Sequence, residues 1–251
     1  MLPRGRFRRP PAWTCLLVAA SLLAAGCNSA TDRTTATRNQ FKRSVPSNPA
    51  PNRTTTFTPT TVPAFTSSVS SVTAIQLGET WRAGCPVDPS QLRMLQMSYW
   101  GFDNQPHLGT MVVNLSVVES VIEVFATLYE ARFPIEEMVP EAAYGGNDNA
   151  AAAADDTSGF NCRYAVAPGP PQWSVHAYGE AIDVNDVQNP YIDGTTIIPP
   201  AGTAYEDRSN IRPGMAVPGG LLVEAFASVG WQWGGRWTGS PDYQHFSSTG
   251  G

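Results

Sequence analysis

Histidine is scarce in this chain, and two of its three copies stand in short motifs beside carboxylates. His176 lies in the stretch S-V-H-A-Y-G-E-A-I-D, Ser174 to Asp183, and His245 follows Asp242 by three residues. Two imidazoles and one carboxylate, from His176, Asp183 and His245, suffice as the protein ligands of a catalytic zinc. Such sites hold the ion with three side chains and leave the fourth position to water. Other divalent ions accept the same donors. Asp242 is close enough in sequence to His245 to reach a water at that fourth position and act as a base.

These groups are distant in sequence and need a scaffold. A strand over 181–184 alternates its side chains, so Ala181 and Asp183 face the site while Ile182 and Val184 face the core. Gly179 permits the bend that brings His176 toward Asp183. Glu180 faces with Ile182 and is read as structural; His107, outside both motifs, is assigned a surface or hairpin role. Upstream, 97–102 and 110–115 read as two strands around a turn at 103–106. A helix follows, with Ser116 and Glu119 as a capping box. Its apolar stripe runs from Val117 through Val121, Phe125 and Leu128 to Tyr129, and Pro134 ends it. Residues 221–229 read as a short amphipathic helix with Gly230 as its stop. Residues 144–160 are expected to form a mobile surface excursion, and 185–214 a loop studded with proline and glycine. The tryptophan-rich tail is either core or the wall of a substrate groove.

Residues 1–27 read as an export signal: a basic start, then an apolar run too short for a comfortable bilayer span. The ending L-L-A-A-G-C resembles a bacterial lipoprotein signal, which implies that Cys27 is lipidated and holds the protein on the outer face of the cell membrane, facing the wall. Residues 28–74, rich in Thr, Ser, Pro and Asn, are expected to be a disordered linker, leaving 75–251 as the folded domain. Cys85 and Cys162, the cysteines left in that domain, are expected to form a disulfide. Residues 75–251 hold seven basic groups against twenty acidic ones. So acidic a domain is a poor partner for nucleic acid, which needs clustered Lys and Arg.

The pattern S-x-H-x-x-G-x-A-x-D followed by D-x-x-H-F resembles the zinc peptidase family of D-alanyl-D-alanine carboxypeptidases, vancomycin-resistance dipeptidases and phage L-alanyl-D-glutamate endopeptidases, over roughly residues 93–247. The resemblance implies an α+β fold, Hedgehog/DD-peptidase-like, in which a small antiparallel sheet carries the zinc site and a few helices pack against it. It implies Zn2+ on His176, Asp183 and His245, Asp242 as general base, and Arg163 in F-N-C-R as the group that offsets oxyanion charge. Where this chain has Ser247, the family often has glutamate, so no role of that residue carries over. Ser174 is assigned to orienting substrate or a ligand. The implied activity is hydrolysis of peptide bonds in bacterial peptidoglycan, by a stem-peptide or cross-link endopeptidase or a D-Ala-D-Ala carboxypeptidase. The alternative is a zinc-containing wall-binding or signalling module of the same fold without catalysis. Peptidoglycan peptides and the membrane, through the lipid anchor, are the expected partners, and the oligomeric state is left open.

Overall fold

The computed structural model describes residues 62–166 and 170–250. The expected signal, Cys27 and the linker as far as residue 61 lie outside the described residues.

The longest β elements come from the hairpin read in the sequence. β1 (Ser67–Ser71) is followed by a short helix α1 (Ala74–Leu77), then β2 (Leu92–Trp100), β3 (Pro106–Asn114) and helix α2 (Val118–Glu130). Helix α3 (Asp148–Ala153), β4 (Ala181–Asp183), β5 (Tyr191–Asp193) and β6 (Thr196–Ile198) come next, then α4 (Leu221–Ser228), β7 (Gln232–Trp233) and β8 (His245–Ser247). The strands form a sheet in the order β1-β2-β3, a second in the order β4-β8-β7, and the hairpin β5-β6. All these pairings are antiparallel, so the architecture is α+β.

The core explains why two separate sheets hold together. The apolar face of α2, through Val121, Phe125 and Leu128, packs in one cluster with Leu95 and Met111 of the first sheet. The same cluster contains Ile182 and Phe246 of the second sheet and Leu222 and Phe226 of α4. The Phe226 and Phe246 rings stack 4.2 Å apart. Burial of this apolar surface is the main stabilising contribution. A second cluster around Leu77, Leu92, Val112 and Phe160 sits beside the Cys85–Cys162 disulfide, which forms as expected.

Three expectations need correction. The first concerns the linker, which the Thr, Ser, Pro and Asn content of residues 28–74 extends through residue 74. Instead β1 pairs with β2, Ser67 opposite Met97. All five of its residues are exposed, as an edge strand held by backbone hydrogen bonds allows. Tyr129 Oη donates to Pro63 O at 2.9 Å, and the Phe65 ring packs on Tyr129, so the folded region extends to these residues. Second, the capping box at Ser116 and Glu119 does not form. A 3-10 turn, Leu115–Val117, precedes α2, and Asn114 caps it by accepting from Ser116 N at 3.0 Å. Glu119 instead occupies the first turn of α2, where negative charge is favourable.

The third correction bears on function. Residues 144–160 are not a surface excursion. The alanines form α3 with Asn147 as N-cap, burying Ala151 and Ala152, and Asp155, Asp156, Thr157, Ser158 and Phe160 are buried beyond it. Polar composition suggested a loop, but these polar groups satisfy backbone and side-chain partners inside the fold. Asp155, for example, accepts from Val187 N at 2.7 Å and Gln188 Nε2 at 2.6 Å. Residues 185–214 likewise contain the hairpin β5-β6 and the buried Asn189, whose amide donates to Val184 O and Gly214 O. Among the described residues no helix is long and apolar enough to cross a membrane.

Candidate metal centre and catalytic cleft

His176 sits on a 3-10 turn, Val175–Tyr178, whose N-cap is Ser174: its Oγ accepts from His176 N at 3.3 Å. Gly179 closes the turn at φ +71°, in the left-handed region that glycine adopts without strain. A Cβ there would also meet Asn114 N at 2.7 Å, so glycine is required by space as well as by backbone. The chain then enters β4, where Asp183 stands directly opposite His245 of β8. One tight turn and one strand pair thus gather groups separated by up to 69 residues.

The donor atoms converge. His176 Nε2 lies 3.1 Å from His245 Nδ1 and 3.2 Å from Asp183 Oδ2, and His245 Nδ1 lies 3.2 Å from Asp183 Oδ1. For ligand atoms ~2.05 Å from a zinc ion, tetrahedral geometry puts neighbours about 3.3 Å apart, so the triad is nearly at metal spacing. All three residues are buried. His176 Nδ1 lies 2.7 Å from Gly159 O. A carbonyl only accepts, so Nδ1 carries the proton and the Nε2 lone pair faces the other two donors. This outer hydrogen bond fixes the tautomer a metal ligand needs. Gly159 comes from the segment expected to be mobile. A Cβ there would approach Val112 O at 2.5 Å, which explains the glycine.

Burial alone would raise the Asp183 carboxyl, but the two imidazoles outweigh it and hold the group well below the usual carboxylate range. Asp242 behaves oppositely. Burial, reinforced by the negative charge of Asp183, pushes it up to about 7. Part of the residue is exposed, but Oδ1 is sealed from solvent without a hydrogen-bond partner, as is Nε2 of His245. A carboxylate at that value is suited to accepting and returning a proton near neutrality. Its loop is held by Asp242 N donating to Gly234 O at 3.1 Å and by a bridge to Tyr191. Gly234 admits the close approach: a Cβ there would sit 2.8 Å from Asp242 O.

His176, His245 and Asp242 line one cleft of about 690 Å³, together with Arg163, Asp148, Ser174, Tyr191 and Trp237. Arg163 Nε donates to Asp148 Oδ1 at 2.6 Å, and its side chain remains 24% exposed. The cleft therefore contains His176, His245, Asp242, Arg163 and Ser174, all named from the sequence, while Asp183 reaches the site through its contacts to the two histidines. Ser174 acts through the backbone of a candidate ligand. Sequence reasoning missed Asp148 and Gly159, both hidden in the presumed excursion, and Tyr191, in the presumed loop. His107 and Glu180 lie elsewhere: His107 pairs with Asp103 at 3.0 Å on an exposed hairpin.

The buried His-Asp-His triad could hold a metal ion, and Asp242 offers a carboxylate oxygen without a hydrogen-bond partner beside His245 in the cleft. Residues 168–248 match the family model described as D-alanyl-D-alanine carboxypeptidase. That family is one of zinc peptidases, and His176, Asp183 and His245 can hold such an ion. The matched stretch contains both motifs but is shorter than the 93–247 expected, so Arg163 and Asp148 lie upstream of it. The chain matches no curated protein and no solved structure.

Proposed function

We propose that this protein is a zinc peptidase that hydrolyses peptide bonds in bacterial peptidoglycan. The observation that carries the proposal is the convergence of three buried donor atoms beside the sealed carboxylate oxygen of Asp242. The family match at residues 168–248 supports it.

When bound, zinc would be held by His176 Nε2, Asp183 and His245 Nδ1, and would supply Lewis-acid polarisation and a water nucleophile at neutral pH. Asp242 takes a proton from the attacking water and returns it to the leaving amine. Arg163 faces the cleft with the part of its guanidinium that Asp148 does not engage and offsets negative charge developing on the carbonyl oxygen. Ser174 keeps the His176 turn in place, and Gly159 keeps the His176 ring in its ligating tautomer.

We favour an internal bond of a stem peptide or cross-link over removal of a terminal D-alanine. The cleft of about 690 Å³ has room for residues on both sides of a scissile bond. Export and attachment through Cys27, on a tether reaching the wall, belong to the same proposal.

Purified muropeptides incubated with and without chelator test this, with Asp242→Ala as control and mass spectrometry of the products. Chelator-sensitive turnover that collapses in Asp242→Ala is expected. Turnover that survives both treatments would overturn the mechanism, and release of D-alanine alone would replace endopeptidase with carboxypeptidase. Mass spectrometry of the mature N-terminus checks Cys27; an unmodified cysteine removes the anchor.

A further inference from the structure

Arginine is the only basic residue type in the folded domain, and nearly every copy is engaged. Arg82 donates to Cys162 O, Arg93 to Ser90 O, and Arg208 to Gln188 O and Ala216 O. Arg132 lies over the Trp100 ring, Arg163 pairs with Asp148, and Arg212 lies over Tyr205. Of the seven arginines, Arg236 alone has no hydrogen bond, ion pair or aromatic partner among the described residues, and it is exposed.

Its surroundings are specific. Arg236 borders a hollow of about 200 Å³ whose lining includes Trp231, Trp233, Gln232 and Trp237. Trp237 is also a wall of the catalytic cleft, with its ring 5.2 Å from that of His245. One indole therefore separates, and joins, the candidate metal centre and the hollow. Trp237 is 38% exposed, more than an indole that serves only the core would be.

We propose that the hollow is a second subsite, which binds the carboxylate-bearing end of a peptide whose scissile bond lies in the cleft. A guanidinium forms two parallel hydrogen bonds to a carboxylate, and the exposed indole of Trp237 can take up aliphatic surface beside it, Trp231 and Trp233 being buried as the floor. The rest of the domain repels anions, with twenty acidic groups after residue 74, so an uncommitted arginine localises the attraction to this point. This subsite deepens the function proposed above and rests on it for the identity of the substrate.

The probe is an N-acetylated stem tetrapeptide ending in D-alanine, with its C-terminal carboxyl free and every other carboxyl amidated. The comparison ligand is the same peptide as a C-terminal amide. Binding to zinc-loaded Asp242→Ala protein is followed by tryptophan fluorescence, which needs no turnover. The acid is expected to bind about tenfold more tightly than the amide, as a charge-assisted pair allows. Adding Arg236→Gln should abolish that difference, and Arg236→Lys should recover part of it. Equal binding of acid and amide, or a preference that Arg236→Gln leaves intact, overturns the subsite. A preference residing at the metal or at Arg163 would show the second pattern. Muropeptide turnover by the wild type separates the two proposals. Carboxylate-dependent binding at Arg236 without turnover sinks the peptidase and keeps the subsite, whereas turnover without that dependence does the reverse.

Discussion

Asp183 and His245 face each other across the β4–β8 pair, carboxylate oxygen 3.2 Å from imidazole nitrogen. Their distance is set by strand register. A slip of β4 by one residue would turn Asp183 to the opposite face, away from His245. Ile182 opposite Phe246, both fully buried, resists that slip because it would bring the Asp183 carboxylate into the core.

Asp183→Asn keeps the shape of the residue and removes the charge that two imidazoles stabilise. Zinc affinity should fall by more than the roughly 10–100-fold that follows loss of a mere supporting hydrogen bond. Metal analysis after dialysis measures this, with circular dichroism confirming that the sheet persists. Unchanged zinc content would remove Asp183 from the ligand set.

Asp242→Ala should retain zinc and lose turnover by roughly 10²–10⁴-fold, the usual contribution of a positioned proton acceptor. Metal content and muropeptide turnover, measured on the same preparation, separate the base from the ligands. Loss of zinc together with activity would make Asp242 structural.

Asp156 gives the protein a pH-dependent weakness away from the cleft. Burial raises its carboxyl from 3.8 to about 8, with Glu141 and Glu137 adding to the effect; Oδ1 accepts from Val139 N, while Oδ2 is buried without a partner. The folded state therefore holds this proton more tightly than the unfolded chain. Its contribution to stability falls as pH rises from about 4 to about 8, because folding then requires either proton uptake or a buried charge. Thermal melts of wild type and Asp156→Asn across that range should diverge, with the variant gaining relative to wild type at the alkaline end. Parallel curves would refute it.

Gly179→Ala places a Cβ at φ +71° and 2.7 Å from Asn114 N. A destabilisation of about 1–3 kcal/mol is expected from the backbone alone, and the His176 turn should shift with it. Denaturant melts give the first effect and zinc titration the second.

The legibility of the sequence followed the reach of each signal. Residues 97–115 and the α2 stripe were readable because their periodicities are local, and the ligands because histidine is rare and its motifs are compact. Local chemistry misled where long-range pairing decides. Ser67–Ser71 has no apolar pattern of its own and becomes a strand only because β2 offers an edge. Ser116 carries an N-cap pattern, but Asn114 reaches the turn first. Asp148 was hidden in an alanine-rich run whose buried face is visible only against the rest of the fold. Its contact with Arg163 spans 15 residues, and no spacing rule announces it.

The segment around Gly159 has a consequence for modularity. Ser158 exchanges backbone hydrogen bonds with Asp183, Gly159 O holds His176 Nδ1, and Phe160 N donates to Val112 O of β3. Ser158, Gly159 and Phe160 all lie outside the 168–248 stretch that carries the family motifs. A fragment cut at residue 168 would keep every candidate ligand and lose both the β-bridge that Ser158 makes to Asp183 and the acceptor orienting His176. What recurs in the family match is a sequence signature. The unit that can fold around it is larger and includes the N-terminal sheet.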